Sequence, residues 1–87
     1  MQMVVLRVVY DARRAVPYAV QYGKSVLRAT DYTELWLQMR DHLRVHGEEC
    51  TLQFSTGVRL SASERSALES IVAYHNHAAS VRTGRKN

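Results

Sequence analysis

The chain alternates between apolar and polar residues on both sides of Gly23 and Lys24. A two-residue loop that begins with glycine is typical of a type II′ turn between antiparallel strands. That turn sets three pairs of residues opposite each other: Tyr22 with Ser25, Val20 with Leu27, and Tyr18 with Ala29. Because these pairs gather apolar side chains on one face, the sequence predicts a sheet with one buried face and one open face.

A first strand is predicted from Met3 to Tyr10, a stretch rich in valine. Its inward set is Val4, Leu6, Val8 and Tyr10, and its outward set is Met3, Val5, Arg7 and Val9. Strand two is predicted over residues 16–22 and strand three over residues 25–30. For both strands to face one core, Tyr10 should lie opposite Val16. Pro17 has no N–H to donate, so strand two should begin irregularly or lie near an edge.

Two capped helices and a second hairpin are predicted beyond residue 30. The pairs Asp31 with Glu34 and Ser61 with Glu64 have capping-box spacing. The first helix should stop at Gly47 and the second near residue 80. Between them, Cys50, Leu52 and Phe54 alternate as strand four. A loop ending at Gly57 predicts a short strand five, with Phe54 opposite Val58 and Leu52 opposite Leu60.

The expected fold is α+β, a five-stranded antiparallel sheet with two helices packed on one face, in the order βββαββα. Residues 1–80 should form a single domain, and residues 81–87 a flexible basic C-terminal tail. A chain of 87 residues with 46% hydrophobic content is long enough to bury a two-layer core without metal or disulfide support.

Composition and charge narrow the function only slightly. Twelve Lys and Arg against eight Asp and Glu give a net charge of +4, a mild preference for anionic partners. The single cysteine, Cys50, cannot form an internal disulfide, so we expect a reducing, cytoplasmic location. The N-terminal apolar stretch is interrupted by Arg7 and is too short for a signal sequence or a membrane span.

The outward sheet face is the candidate partner-binding surface, since no third layer is left to cover its apolar side chains. The alternatives are that surface valines are normal in strands, or that strand one slips by one residue and buries the other set of side chains. The candidate partner-binding residues are Met3, Val5, Arg7, Val9, Val26, Arg28 and Arg59. If strand one were also a sheet edge, two copies could pair edge to edge.

The same face supports nucleic-acid binding as the alternative function, because arginine contacts phosphates with two hydrogen bonds. The candidate residues are Arg7, Arg13, Arg14, Lys24, Arg28 and Arg59. Single-stranded nucleic acid also needs aromatic side chains for stacking, and the strand tyrosines are predicted to face inward. A solvated basic face explains the same arginines without a ligand.

Catalytic and metal-binding signatures are weak. His42 and His46 lie four residues apart near Cys50 and resemble half of a helical zinc site, without the His-Glu-x-x-His order. His75 interrupts the apolar stripe of the last helix, and we expect a buried neutral imidazole with one hydrogen-bond partner. The sequence therefore predicts a non-enzymatic protein with no cofactor, no metal, no small-molecule substrate and no membrane contact.

The leading interpretation is a small protein-binding module, an adaptor or inhibitor, that acts through its sheet face and basic rim and self-associates as a homodimer. In length and composition the chain resembles the short single-domain proteins that phages encode to block host machinery, including anti-CRISPR proteins. The resemblance implies an inhibitor that binds another protein. The acidic surface common among those inhibitors is absent here, so the expected target presents negative charge.

Overall fold

The computed structural model describes residues 4–45 and 48–82, which form a sheet covered on one side by two helices. The elements are, in chain order, β1 (Val4–Tyr10), β2 (Tyr18–Tyr22), β3 (Ser25–Ala29), α1 (Tyr32–Arg44), β4 (Cys50–Phe54) and α2 (Ala62–Arg82). The predicted α+β class is confirmed. Among the described residues, neither helix combines the length and the apolar character that crossing a membrane requires.

The sheet has four strands in the order β3-β2-β1-β4, so the prediction of a five-stranded antiparallel sheet is wrong. β4 runs parallel to β1, with Val4 opposite Cys50 and Val8 opposite Phe54. Helix α1 makes the parallel pairing possible, because it carries the chain from the β3 edge back across the sheet. β1 is therefore an interior strand, so the condition for edge-to-edge pairing through it is not met.

No fifth strand follows β4 in the described part of the chain. Gly57 has a left-handed φ of 88°, as the predicted loop requires, but the chain then turns into the core, where Val58 is buried. The Arg65 guanidinium donates to the carbonyl oxygens of Val58 and Leu60, both at 3.3 Å. Because Arg65 of α2 bonds these two carbonyl groups, they do not need a hydrogen-bond partner on β4, and residues 58–60 need not form a strand.

The hairpin at Gly23 confirms the predicted register, with Tyr22 opposite Ser25 and a φ of 59° at the glycine. The pairing of β1 with β2 differs from the prediction by two residues, since Tyr10 lies opposite Tyr18. A shift of two leaves every side chain on its predicted face, because strand side chains alternate with period two. Strand β2 starts at Tyr18, directly after Pro17, which has no N–H to donate to a neighbouring strand.

Both predicted helix starts are confirmed by their side-chain caps. Asp31 Oδ1 accepts a hydrogen bond from the Glu34 N–H at 2.9 Å. The Glu34 carboxylate accepts in turn from the N–H and hydroxyl of Thr30, at 2.7 and 2.6 Å. Ser61 and Glu64 form a reciprocal capping box, with distances of 2.9 and 3.1 Å.

The helix ends differ slightly from the prediction. α1 ends at Arg44, and Gly47, the predicted stop, lies outside the described residues, as does His46. α2 continues to Arg82 and so includes the first two residues that were predicted to belong to the tail.

The core lies between the sheet and the helices, and it confirms which way β1 faces. Leu6 and Val8 are fully buried against α1 and α2, whereas Val5 is 44% exposed. Val9 is half-buried, and Met3 lies outside the described residues. One face of the sheet is therefore packed, and no described element covers the other.

Candidate partner-binding surface

The sheet face directed away from both helices, here called the outer face, carries side chains from all four strands. Its strand residues are Val5, Arg7, Val9, Ala19, Gln21, Val26, Arg28, Thr51 and Gln53. Arg7 is central, because Gln21 and Gln53 flank it on the two neighbouring strands. Since none of these strand residues is acidic, the outer face is positively charged.

Arg7 and Arg28 are the two charged groups of the outer face. Arg28 lies two strands from Arg7 and two residues along the sheet, which puts their Cα atoms about 12 Å apart. Both side chains are exposed, and neither forms an ion pair with an acidic residue of the described chain. Two guanidinium groups at this spacing can bind separate carboxylates or phosphates.

The apolar residues of the outer face lie in separate places: Val5 and Val9 are two residues before and after Arg7 on β1, and Val26 is two strands away, beyond Gln21. Val5 and Val26 are 44% and 46% exposed, so the predicted outward direction of both is confirmed. Ala19, which lies between Val9 and Arg28 in the register, is buried. The face thus offers a short apolar surface interrupted by two cations. The role of these residues in binding stays a prediction.

Arg59 does not share the outer face with Arg7 and Arg28, so that part of the prediction is wrong. It lies in the loop before α2, because strand five does not form. Its guanidinium carbon is 6.0 Å from the centre of the Tyr10 ring, and its carbonyl accepts a hydrogen bond from the Tyr18 hydroxyl at 2.8 Å. Packing against the strand tyrosines therefore directs Arg59 away from the proposed site.

The basic rim, which consists of Arg13, Arg14 and Lys24 in the loops at the ends of the sheet, carries less net positive charge than the sequence indicates. Arg13 and Arg14 both pair with Asp11, at 3.1 and 3.6 Å, in the loop between β1 and β2. The hydrogen bonds from Arg13 lower the pKa of the Asp11 carboxyl, which keeps it ionised and offsets part of the local positive charge. Lys24 is exposed in the Gly23 turn, at the opposite end of the sheet.

His75 is one member of a polar cluster where α2 approaches the start of β4. The side chain is 7% exposed, and its Nε2 lies 2.7 Å from the Glu48 carbonyl oxygen. Because a carbonyl can only accept, Nε2 carries the proton and donates. The Tyr22 hydroxyl donates to the Glu48 carboxylate at 3.3 Å, and the Tyr22 ring packs edge-on against His42. These contacts confirm His75 as a buried imidazole that holds the loop before β4.

Asn76 covers the beginning of the β4 edge. Its amide donates to the Cys50 carbonyl and accepts from the Cys50 N–H, both at 2.8 Å. The odd-numbered residues of this segment form the backbone hydrogen bonds to β1. The Val4 N–H donates to the Glu49 carbonyl, and the Ser55 N–H donates to the Val8 carbonyl. In a parallel ladder the Cys50 groups therefore point to the open side. Asn76 takes the place of a neighbouring strand there.

Cys50 has the properties of a structural cysteine. It is 2% exposed, its thiol lies 3.5 Å from the Glu48 carbonyl, and burial raises its pKa to about 11. Within residues 4–45 and 48–82, no group of three or more His, Cys, Asp or Glu side chains is placed to hold a metal ion. His42 and Cys50 therefore gain no further ligand from the described residues.

We expect the Cys50 thiol to react with a disulfide reagent such as DTNB, near pH 8, at least about a hundredfold more slowly in the folded protein than in denaturant. The pKa rises from 9.0 to about 11, which lowers the thiolate fraction about a hundredfold at that pH. Absorbance of the released thiolate, followed with and without guanidinium, measures both rates. Similar rates would show that the side chain is accessible in the native state.

Three polar residues of the outer face, Gln21, Thr51 and Gln53, were missing from the predicted site. Thr51 and Gln53 alternate with inward residues, so their outward direction follows from the sequence, but their position beside β1 does not. No strand residue of the outer face is a carboxylate, an imidazole or a thiol, so the face can bind a partner but lacks the usual catalytic groups. Comparison of the chain with protein-family models, curated proteins and solved structures finds no significant match.

Proposed function

We propose that this protein is a non-enzymatic binding module whose outer face docks on an acidic patch of another protein, as an adaptor or an inhibitor. The observation that carries the proposal is the uncovered sheet face, in which Arg7 and Arg28 lie among exposed valines with no acidic strand residue. Carboxylates of a partner would pair with the two guanidinium groups, and the valines would lose contact with water.

Arg7 has the position expected of the residue that contributes most to affinity. It lies at the centre of the outer face, where a docked partner would exclude water most completely. Hydrogen bonds to charged groups contribute about 1.5–3 kcal/mol each when solvent is excluded. Val5, on the same strand, and Val26, two strands away, add exposed apolar area to the same face. Affinity should therefore depend on both salt concentration and shape.

Nucleic acid is the second candidate partner, and the tyrosines count against it. Tyr10 and Tyr18 pack against each other on the helix side of the sheet, with ring centres 4.9 Å apart. Tyr22 is held by Glu48 on that same side. The outer face therefore offers guanidinium groups for phosphates but no aromatic ring on which a base could stack.

Self-association through the outer face is disfavoured by its charge. Two copies paired face to face would bring four like charges together without a carboxylate between them. The edges of the sheet are also partly occupied, because Asn76 bonds the start of β4 and Gln38 reaches the Arg28 carbonyl of β3 at 3.4 Å. The homodimer stays a prediction, and a different, acidic partner fits the outer face better.

The test is capture of partners from a lysate of the cells that make the protein, with and without nuclease, followed by titration of the purified partner. We expect a nuclease-resistant protein complex whose dissociation constant rises at least about tenfold in Arg7→Glu, and that weakens as salt is raised. The dissociation constant should rise because the glutamate would face the carboxylates of the partner and repel them.

Arg59→Glu is the matched control, because it makes the same charge change away from the outer face. It should leave the dissociation constant within about twofold of the wild-type value. A complex that disappears with nuclease would support the nucleic-acid alternative. A protein complex indifferent to Arg7→Glu, or weakened equally by both variants, would show that the outer face is not the interface.

A further inference from the structure

A groove of about 830 Å³ runs between α1 and α2, on the opposite side of the molecule from the outer face. Its apolar lining consists of Trp36, Leu43, Ala67, Ile71, Tyr74 and Ala78. The volume falls within the ~300–1,000 Å³ typical of small-molecule sites. The groove is therefore large enough to accept a ligand of its own, separate from the proposed protein partner.

The groove stays open because each helix directs aliphatic residues into the core and leaves its largest aromatic residue at the groove. Leu35 and Met39 of α1 and Leu68 of α2 are buried in the core. Trp36 and Ile71 pack only at the margin of that core and remain half-exposed. Tyr74 is 76% exposed on the wall that α2 contributes. Apolar and aromatic surface is thus left accessible along the whole length of the groove.

The two walls of the groove differ in charge. Arg40 and Arg44, four residues apart on α1, line one wall, and the Arg40 guanidinium carbon is 5.2 Å from the centre of the Trp36 ring. Arg40 also pairs with Asp41 at 3.1 Å, whereas Arg44 has no acidic partner among the described residues. None of the α2 residues that line the groove is an Asp, Glu, Lys or Arg; the polar ones are Ser70 and the His75 imidazole, whose Nε2 bonds the Glu48 carbonyl. The apolar lining therefore lies next to a cation, the Arg44 guanidinium, that no described carboxylate neutralises.

We propose that this groove binds an amphipathic small-molecule anion, an apolar body that carries one carboxylate or sulfonate group. The apolar body would lie against Trp36 and Ile71, where it removes half-exposed hydrophobic surface from water. The anionic group would bond to the Arg44 guanidinium, which is free to make two parallel hydrogen bonds. A neutral apolar molecule would gain only the first of these interactions, so the groove should select for negative charge.

The chain supplies its own reporter for this site, since Trp36 is its single tryptophan and lines the groove. The probes are 8-anilino-1-naphthalenesulfonate and N-phenyl-1-naphthylamine, which share an aromatic body and differ by the sulfonate. We expect energy transfer from Trp36 to the sulfonate probe, and a dissociation constant at least about tenfold lower than for the neutral probe. Dodecanoate should displace the bound probe, and dodecan-1-ol should not.

Arg44→Gln should weaken the sulfonate probe at least about tenfold and leave the neutral probe unchanged, while Arg59→Gln should change neither. Near-UV circular dichroism of each variant shows that the native packing around Trp36 is retained. Equal affinity for the two probes, or sulfonate binding indifferent to Arg44→Gln, would overturn the proposal. Probe binding that falls as protein concentration rises would also overturn it, since a second copy would then occupy the groove. None of these outcomes depends on the protein partner of the outer face.

Discussion

Replacement of Leu6 by alanine is expected to lower the free energy of unfolding by about 3–5 kcal/mol. Leu6 is fully buried in β1, an interior strand that pairs with β2 on one side and β4 on the other. Truncation would remove hydrophobic burial and leave a cavity between the sheet and the helices, which interior strands held on both sides cannot close by moving. Urea unfolding followed by circular dichroism measures the change.

Val5→Ala is the matched control for Leu6→Ala, because the adjacent residue points to the opposite face. Val5 is 44% exposed, so we expect a loss below about 1 kcal/mol, mostly from reduced strand propensity. If the two substitutions cost the same, β1 does not present alternate faces to core and solvent. The outer face and the function proposed for it would then be contradicted together.

Replacement of Asn76 by alanine is expected to cost about 2–4 kcal/mol of the free energy of unfolding. The substitution removes both 2.8 Å hydrogen bonds to the backbone of Cys50, a residue that is 2% exposed. The orphaned N–H and carbonyl would keep most of their desolvation cost without a partner. The β4 edge should open at its start, so exchange of the Cys50 amide hydrogen should accelerate in the variant.

His77→Ala controls for a change of helix propensity next to Asn76, since His77 is exposed on α2. It should change the free energy of unfolding by less than about 0.5 kcal/mol and leave exchange of the Cys50 amide unaltered. Unchanged protection of that amide in Asn76→Ala would show that the side chain does not bond the strand edge in solution. In Asn76→Asp the carboxylate still accepts from the Cys50 N–H but sets its second oxygen against the Cys50 carbonyl, so near neutral pH this variant should be no more stable than Asn76→Ala.

Much of the local structure could be predicted because it depends on interactions between near neighbours in the chain. The Gly23 turn sets its own register, since a two-residue loop leaves no freedom in which residues lie opposite each other. The cap of each helix is formed by residues three positions apart, so Ser61 with Glu64 is recognisable without any tertiary contact. Even the misplaced pairing of β1 with β2 kept every side chain on its correct face.

The partner of a strand across the sheet could not be predicted in the same way. The run from Cys50 to Phe54 is equally compatible with pairing to a following strand or to β1, because alternation alone does not identify a neighbour. The choice depends on α1 crossing the sheet and on Arg65 bonding the backbone of residues 58 and 60. Arg59 was misassigned for this reason, since it shares the outer face only if strand five exists.

Sequence by itself determined which side chains of this protein face the core and which face outward, because strand and helix periods are properties of the backbone. It thereby located Arg7, Arg28, Val5 and Val26 on one surface. Only the tertiary structure decided which elements lie side by side: the parallel neighbour of β1, the clamp of Asn76 on the β4 edge, and the groove between α1 and α2. These depend on contacts between residues far apart in the chain, where many arrangements satisfy the same local pattern and packing of the whole selects one.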